Sequence, residues 1–301
     1  VIPVHTPVMA AEVRRHLVPS RPDGLIIDGT LGEGGHSAAF LEDYPAARVV
    51  GIDADPEMGR RAAERLAGWG ERFEYRRGWT DVVLGSWDGE APLIVLMDLG
   101  ISVYHYERGG RGFSFGADEP LDMRLSDDTE RDAADLVNTL REDELADLIY
   151  RYGEERFSRR IARRIVEERR QEPIRRSARL ADIVVKALPP ASRHGRIHAA
   201  TRTFQALRIA VNGELDRLER LLKTVPSLLA PGGRLGIISF HSLEDRLVKH
   251  TFRALDRRFG GDFDVLTRKP LVPGDEECRE NPPSRSAKFR ILRRPEPGDD
   301  G

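Results

Sequence analysis

Three short apolar runs, each ending on an aspartate, constrain the fold more than anything else in this chain. Leu25-Ile26-Ile27 stops at Asp28, Arg48-Val49-Val50-Gly51-Ile52 at Asp53, and Leu93-Ile94-Val95-Leu96-Met97 at Asp98. None alternates polar with apolar, so none suits a sheet with one wet face. Such runs fit a parallel sheet covered by helices on both sides. Phe73 to Tyr75 reads as a weaker strand between the second and third runs, and Thr6 before Pro7 reads as a hydroxyl cap opening a helix to about Leu17.

After Asp98 the alternation of strand and helix lapses for roughly a hundred residues, and the apolar period becomes helical. From Gly112 to Tyr150 the chain carries 12 acids against 3 arginines, whereas Arg151 to Val211 carries 16 basic residues against 6 acids. A net charge of −2 therefore conceals a basic face. Within it a helix is expected from Glu154 to Gln171. Its stripe is Phe157, Ile161, Ala162, Ile165 and Val166, with Arg159, Arg160, Arg163, Arg164 and Arg170 off the stripe, and Pro173 ends it. Sheet character returns after a helix from about Gly213 to Leu229, with Pro231-Gly232-Gly233 turning into the strand Leu235 to Phe240. Phe263 to Leu266 and Lys288 to Leu292 read as an antiparallel pair at the sheet edge. The expected organisation is a sheet domain over 1–103 and 199–301, interrupted by a helical insertion over 104–198.

A chain of 301 residues with 40% hydrophobic content can bury a full core. No run approaches the roughly 18 apolar residues of a membrane span, and the N-terminus lacks the charge order of a secretory signal. A soluble cytoplasmic protein with no membrane partner is expected. Cys278 is the single cysteine, which excludes an internal disulfide and leaves no ligand set for structural zinc. No metal is expected.

In Asp28-Gly29-Thr30-Leu31-Gly32-Glu33-Gly34-Gly35-His36-Ser37 four glycines stand where a strand passes into a helix, so the backbone can turn sharply and approach a ligand closely. Asp53, 19 positions after Gly34, ends the next strand and is placed to hydrogen-bond ribose hydroxyls. Both features fit a nucleoside cofactor, and they fit a dinucleotide equally. Residue by residue, plainer readings stand beside these: Asp53 as a helix cap before Pro56, Asp28 as a structural acceptor, His36 as a first-turn helix residue. A methyltransferase, an NAD-dependent oxidoreductase and a noncatalytic RNA-binding assembly factor all remain open at this point.

Ordered motifs along nearly the whole chain narrow the choice. They are His5-Thr6-Pro7-Val8, Asp28 to Ser37, Gly51-Ile52-Asp53-Ala54-Asp55-Pro56, Asp98-Leu99-Gly100-Ile101-Ser102, Arg111-Gly112-Phe113-Ser114-Phe115 and Pro120-Leu121-Asp122-Met123-Arg124. Ala200 to Arg208, Ser239-Phe240-His241-Ser242-Leu243-Glu244-Asp245-Arg246 and Ser284 to Lys288 follow. In these the sequence resembles the bacterial ribosomal RNA small subunit methyltransferase H family. The resemblance implies a Rossmann-like class I methyltransferase sheet with an inserted, mostly helical subdomain. It implies S-adenosylmethionine as cofactor and the N4 amine of a cytidine in the decoding region of 16S rRNA as target. The partner implied is 16S rRNA within the small subunit, and a homodimer is compatible with the resemblance.

By position in those motifs the resemblance assigns cofactor contacts to Gly34, Gly35, His36, Asp53, Trp79, Asp98 and His105. Trp79 stands where the family usually has Phe. His105 stands where it has Gln, since Val103-Tyr104-His105 replaces Ser-Pro-Gln. Ala199 replaces a proline before Ala200-Thr201-Arg202, and Asn281-Pro282-Pro283 mimics an amine-holding motif at the wrong place in the topology, which Asp98-Leu99 occupies. Asp98 is the candidate catalytic residue, orienting the amine, with a contact to the cofactor alone as its alternative. His241 and Ser242 stand near where a flipped base would be held, although Ser242 with Asp245 also reads as a capping box. Phe113 and Phe115 suit either base stacking or packing.

Overall fold

The apolar runs become adjacent strands. The computed structural model describes residues 7–107, 109–193 and 197–299. In chain order they form α1 (Ala10–His16), β1 (Leu25–Asp28), α2 (Gly35–Asp43), β2 (Arg48–Asp53), α3 (Pro56–Leu66), β3 (Phe73–Arg77), α4 (Thr80–Gly85) and β4 (Ile94–Asp98). Five helices follow: α5 (Val103–Glu107), α6 (Ala133–Thr139), α7 (Glu142–Gly153), α8 (Ser158–Arg169) and α9 (Ser177–Ala187). Next come α10 (Thr201–Asn212), α11 (Glu214–Leu228), β5 (Arg234–Ser239), α12 (Ser242–Leu255), β6 (Asp264–Val265), α13 (Asp275–Glu280) and β7 (Lys288–Arg293). Two units result: one runs to Ile101 and resumes at Leu215, the other is Ser102–Glu214.

The first unit is a seven-stranded sheet in the order β3-β2-β1-β4-β5-β7-β6. β1 pairs parallel with β2 and β4, β4 parallel with β5, and only β7 runs antiparallel, against β5 and β6. Successive residues feed opposite faces, as the pleat requires. Ile26, Val49, Ile94, Leu96 and Phe289 pack with Val13, Leu17, Phe40 and Leu41 on one side. Leu25, Ile27, Val50, Val95 and Ile237 pack with Leu218, Leu222, Val248 and Phe252 on the other. β3 is an edge strand and its burial is partial, which explains its faint sequence signal. The C-terminal pair is the antiparallel edge expected for it. No helix among the described residues is long and apolar enough to cross a membrane.

The second unit is helical, with α7 packed on α8 and α10, and α8 on α9. The sequence reading ended the insertion at residue 198, but α10 belongs to this unit. Its buried Asn212 explains why: the side-chain Nδ2 donates to Met123 O at 2.8 Å and Oδ1 accepts from Leu125 N at 2.9 Å. Gly213, left-handed at φ 60°, then stops α10 before α11 starts. The helix expected from Glu154 begins four residues later, because Glu154 itself takes a left-handed conformation at φ 48° and closes α7. Of its expected apolar stripe Ile161, Ala162, Ile165 and Val166 are buried, while Phe157 is half-buried at the N-cap. The proposed cap Thr6 lies outside the described residues, and α1 begins later, behind Met9.

Candidate functional site

The strand order turns back between β1 and β4, so the loops leaving their carboxyl ends diverge and open a crevice there. The glycine-rich loop forms one wall. Gly34 is the N-cap of α2 at φ 76°, a conformation that strains any residue with a Cβ. A Cβ there would also lie 3.0 Å from Leu66 Cδ1 and 3.3 Å from Ala62 Cβ, so α3 sets how closely the loop is drawn in. Two further bonds hold the loop to the sheet: Gly29 N donates to Leu96 O at 2.8 Å, and the Thr30 hydroxyl accepts from Asp98 N at 2.6 Å.

Asp53 is not the helix cap it could have been. Asp55 caps α3, accepting from Glu57 N at 3.0 Å. Asp53 instead accepts from Gly32 N at 2.8 Å through Oδ2 and from Asp55 N at 2.9 Å through Oδ1, tying the glycine loop to the end of β2. Gly78 N donates to Asp53 O at 2.9 Å, which brings Trp79 to the same strand ends. The Trp79 ring is held by the Arg217 guanidinium, 3.9 Å from its centroid, and Arg217 is fixed in turn by Asp81 at 2.9 Å.

At the centre is a buried polar group. Asp28 is 1% exposed, and its carboxylate accepts from the Ser37 hydroxyl at 2.7 Å. Burial pushes its pKa up, while His36 and the Ser37 hydrogen bond oppose that. His36 Nε2 lies 3.6 Å from Asp98 Oδ2, too far for a hydrogen bond. Both His36 nitrogens and Asp98 Oδ1 are buried and, among the described residues, have no hydrogen-bond partner. Leaving such atoms unsatisfied costs about 1–3 kcal/mol each, so they offer hydrogen-bonding capacity to a polar ligand. Gly34, Gly35, His36, Asp53, Trp79 and Asp98 are thus all assembled in the sheet unit. His105 belongs to the helical unit, 3% exposed, with Phe113 edge-on at 5.5 Å.

Sequence reasoning missed Glu277. Its carboxylate accepts from Met9 N at 2.6 Å across most of the chain's length. Burial raises its pKa, as do the charges of Glu12 and Asp98, so it sits within the field of the central group. No local motif marks it. The other candidates each hold a structural role. His241, one residue before the expected Ser242, is the N-cap of α12, sharing a capping box with Glu244. Phe113 is 4% exposed and Phe115 stacks on His198 at 4.2 Å, so both pack. Asn281 ends α13, and Pro282 opens a 3-10 turn.

The model of the MraW methylase family matches residues 3–295. The chain belongs to that family. Ribosomal RNA small subunit methyltransferase H of Treponema denticola is 52% identical to it, covering 97% of this chain and 98% of that protein. The protein of the same name from Synechococcus elongatus is 47% identical over 96% and 94% of the two chains. The one from Prochlorococcus marinus is 53% identical over 90% and 85%. As a methylase of the MraW family, the chain is an enzyme, and the oxidoreductase reading that the glycine loop left open is set aside.

Proposed function

We propose that this MraW-family methylase transfers a methyl group from S-adenosylmethionine to the N4 exocyclic amine of a specific cytidine in the decoding region of 16S rRNA. The reaction is placed in the cytoplasm, on rRNA within the small subunit, with a homodimer as an admissible assembly. The names of the full-length relatives support the substrate. The observation that carries the chemistry is Asp98 Oδ1, a buried acceptor at the carboxyl end of β4, beside the glycine loop, with no partner among the described residues.

S-adenosylmethionine, when bound, supplies an electrophilic methyl on a positively charged sulfur. Gly34 and Gly35 would let the backbone approach it, His36 would offer its ring nitrogens, Trp79 an aromatic wall, and Asp53 its carboxylate. The assignment of His105 rests on the resemblance alone. The N4 lone pair of cytosine is delocalised into the ring, so the amine must be oriented before it can attack. Asp98 would do this by accepting an N4 hydrogen, which would favour positive charge on nitrogen as it takes the methyl group from sulfur, the surplus proton going to solvent. The helical unit supplies cations for the RNA backbone.

Incubation with methyl-labelled S-adenosylmethionine and either naked rRNA or small subunits, followed by mapping of the modified nucleoside, tests donor, target and substrate form together. Label at any position other than cytidine N4 removes the target. Asp98→Asn keeps shape but loses charge, and single-turnover rates at saturating donor should fall at least tenfold while donor affinity changes less. A wild-type rate would remove Asp98 from the chemistry.

A further inference from the structure

At the opposite edge of the sheet from β3, a cleft of about 490 Å³ opens beside α12, β6 and β7, within the range of small-ligand sites. It shares no residue with the donor site, and three strand spacings, about 14 Å, separate β6 from β4. Its lining holds five cations, Lys249, Arg253, Arg258, Arg268 and Arg290, against the single acid Asp256. Two of the five are committed. Arg258 grips both oxygens of Asp256, at 3.0 and 2.9 Å, and that grip holds the Asp256 carboxyl below its ordinary range. Arg290 donates to Asp245 at 2.7 Å.

Lys249, Arg253 and Arg268 are exposed, and among the described residues none has an ion pair. Arg268 also lies in the field of Asp256, but three exposed cations beside that one acid, itself gripped by Arg258, leave a net positive wall that favours an anion. The wall also carries Phe259, a large apolar side chain left 59% exposed on a 3-10 turn, with the Arg253 guanidinium 4.8 Å from its ring centroid. A flat π-surface next to unpaired cations matches a ligand that offers an aromatic face and a phosphate together. Single-stranded nucleic acid is bound in this way, by stacking on aromatic and guanidinium planes while cations track the backbone.

We propose that this cleft is a second RNA site, in which Lys249, Arg253 and Arg268 bind backbone phosphate of a single-stranded segment and a base stacks at Phe259. The inference rests on RNA being the substrate. The cleft would anchor nucleotides flanking the target, so its loss should raise KM for RNA and leave kcat at saturating RNA unchanged.

Binding of a single-stranded RNA oligonucleotide covering the target region is measured directly by fluorescence anisotropy across a salt titration, without turnover. Arg253→Glu with Arg268→Glu should weaken binding tenfold or more and flatten the salt dependence. Phe259→Ala should weaken it severalfold with the salt slope unchanged, which a purely electrostatic surface would not do. Melting curves and donor affinity, unchanged in both variants, show that the fold is intact. Wild-type affinity and slope in the double variant would overturn the proposal. So would equal competition by polyaspartate at matched charge, which would indicate an acidic protein as the occupant. A wild-type protein that binds the oligonucleotide through this cleft but methylates no rRNA would refute the proposed reaction and leave the cleft assignment standing.

Discussion

At the scale of single residues, Asp53 and Asp28 show how structure and chemistry share the same carboxylates. Asp53 already accepts two backbone hydrogen bonds, so Asp53→Ala should do two things at once. Donor affinity should fall by about 1–3 kcal/mol through a lost hydrogen-bond pair, and the melting temperature should drop by several degrees because Gly32 N and Asp55 N lose their acceptor. Calorimetry and a thermal melt separate the two; an unchanged affinity in the folded variant would leave Asp53 a purely structural tie. Asp28 has a native pKa raised above its ordinary 3.8 by burial. Below 3.8 both native and unfolded states hold the proton and no penalty exists. As pH rises through the raised native value, the native state must either keep a proton the unfolded state has released or bury a charge, and stability is lost. Asp28→Asn should therefore gain in melting temperature relative to wild type as pH goes from about 4 to 7, and a difference constant with pH would show that Asp28 does not titrate abnormally. The sequence showed where these aspartates end their strands, since an acid after an apolar run is visible locally. It could not show that Asp53 binds backbone amides rather than capping α3, because Asp53 and Asp55 are equivalent in spacing until the chain turns. Glu277 was invisible for a plainer reason: its partner Met9 is 268 positions away.

Among the elements, α8 was the most legible, because four apolar positions at helical spacing leave little choice of buried face. The free charges on it were less so. Arg164 pairs with Glu167 and Glu168, Arg169 donates to Val137 O at 2.7 Å, and Arg163 lies 3.5 Å from Glu142. Those engagements leave Arg159, Arg160 and Arg170 exposed and, among the described residues, without an ion pair. Changing these three to Glu should weaken rRNA binding and reduce the magnitude of its salt slope by about 2, at roughly 0.7 per contact to a single strand. Folding should survive, since all three side chains are exposed and surface substitutions of this kind usually change stability by no more than about 0.5 kcal/mol. A filter-binding titration at several salt concentrations reads this, and an unaltered slope would make α8 a scaffold only. Element ends were harder to read than element faces. α8 starts at Ser158 because Glu154 adopts a left-handed conformation that nothing in its sequence requires, and α12 is capped by His241 because Glu244, not Asp245, lies three residues on.

For the whole molecule, the informative feature is that the helical unit is continuous in sequence and the sheet unit is not. Residues 102–214 alone should be helical by circular dichroism and melt cooperatively, as α10 closes its own contacts through Asn212. Residues 1–101 alone should aggregate, because β4 would present the apolar edge Ile94 to Met97 that β5 covers in the native sheet. Sedimentation of both fragments decides, and a stable monomer from 1–101 would show that the half-sheet is self-sufficient. The end of the insertion is not legible in the sequence, because α10 carries an amphipathic pattern that suits either unit and only its long-range partners assign it. The same discontinuity matters while the protein is being made. Synthesis proceeds at about 5–20 residues per second, so β4 leaves the ribosome roughly 7–28 seconds before β5. During that interval the newborn half-sheet has a bare backbone rim while an entire neighbouring body takes shape behind it. Slower translation through the insertion, which prolongs that exposure, should therefore lower the yield of folded protein, and a chaperone able to shield a single strand should restore it.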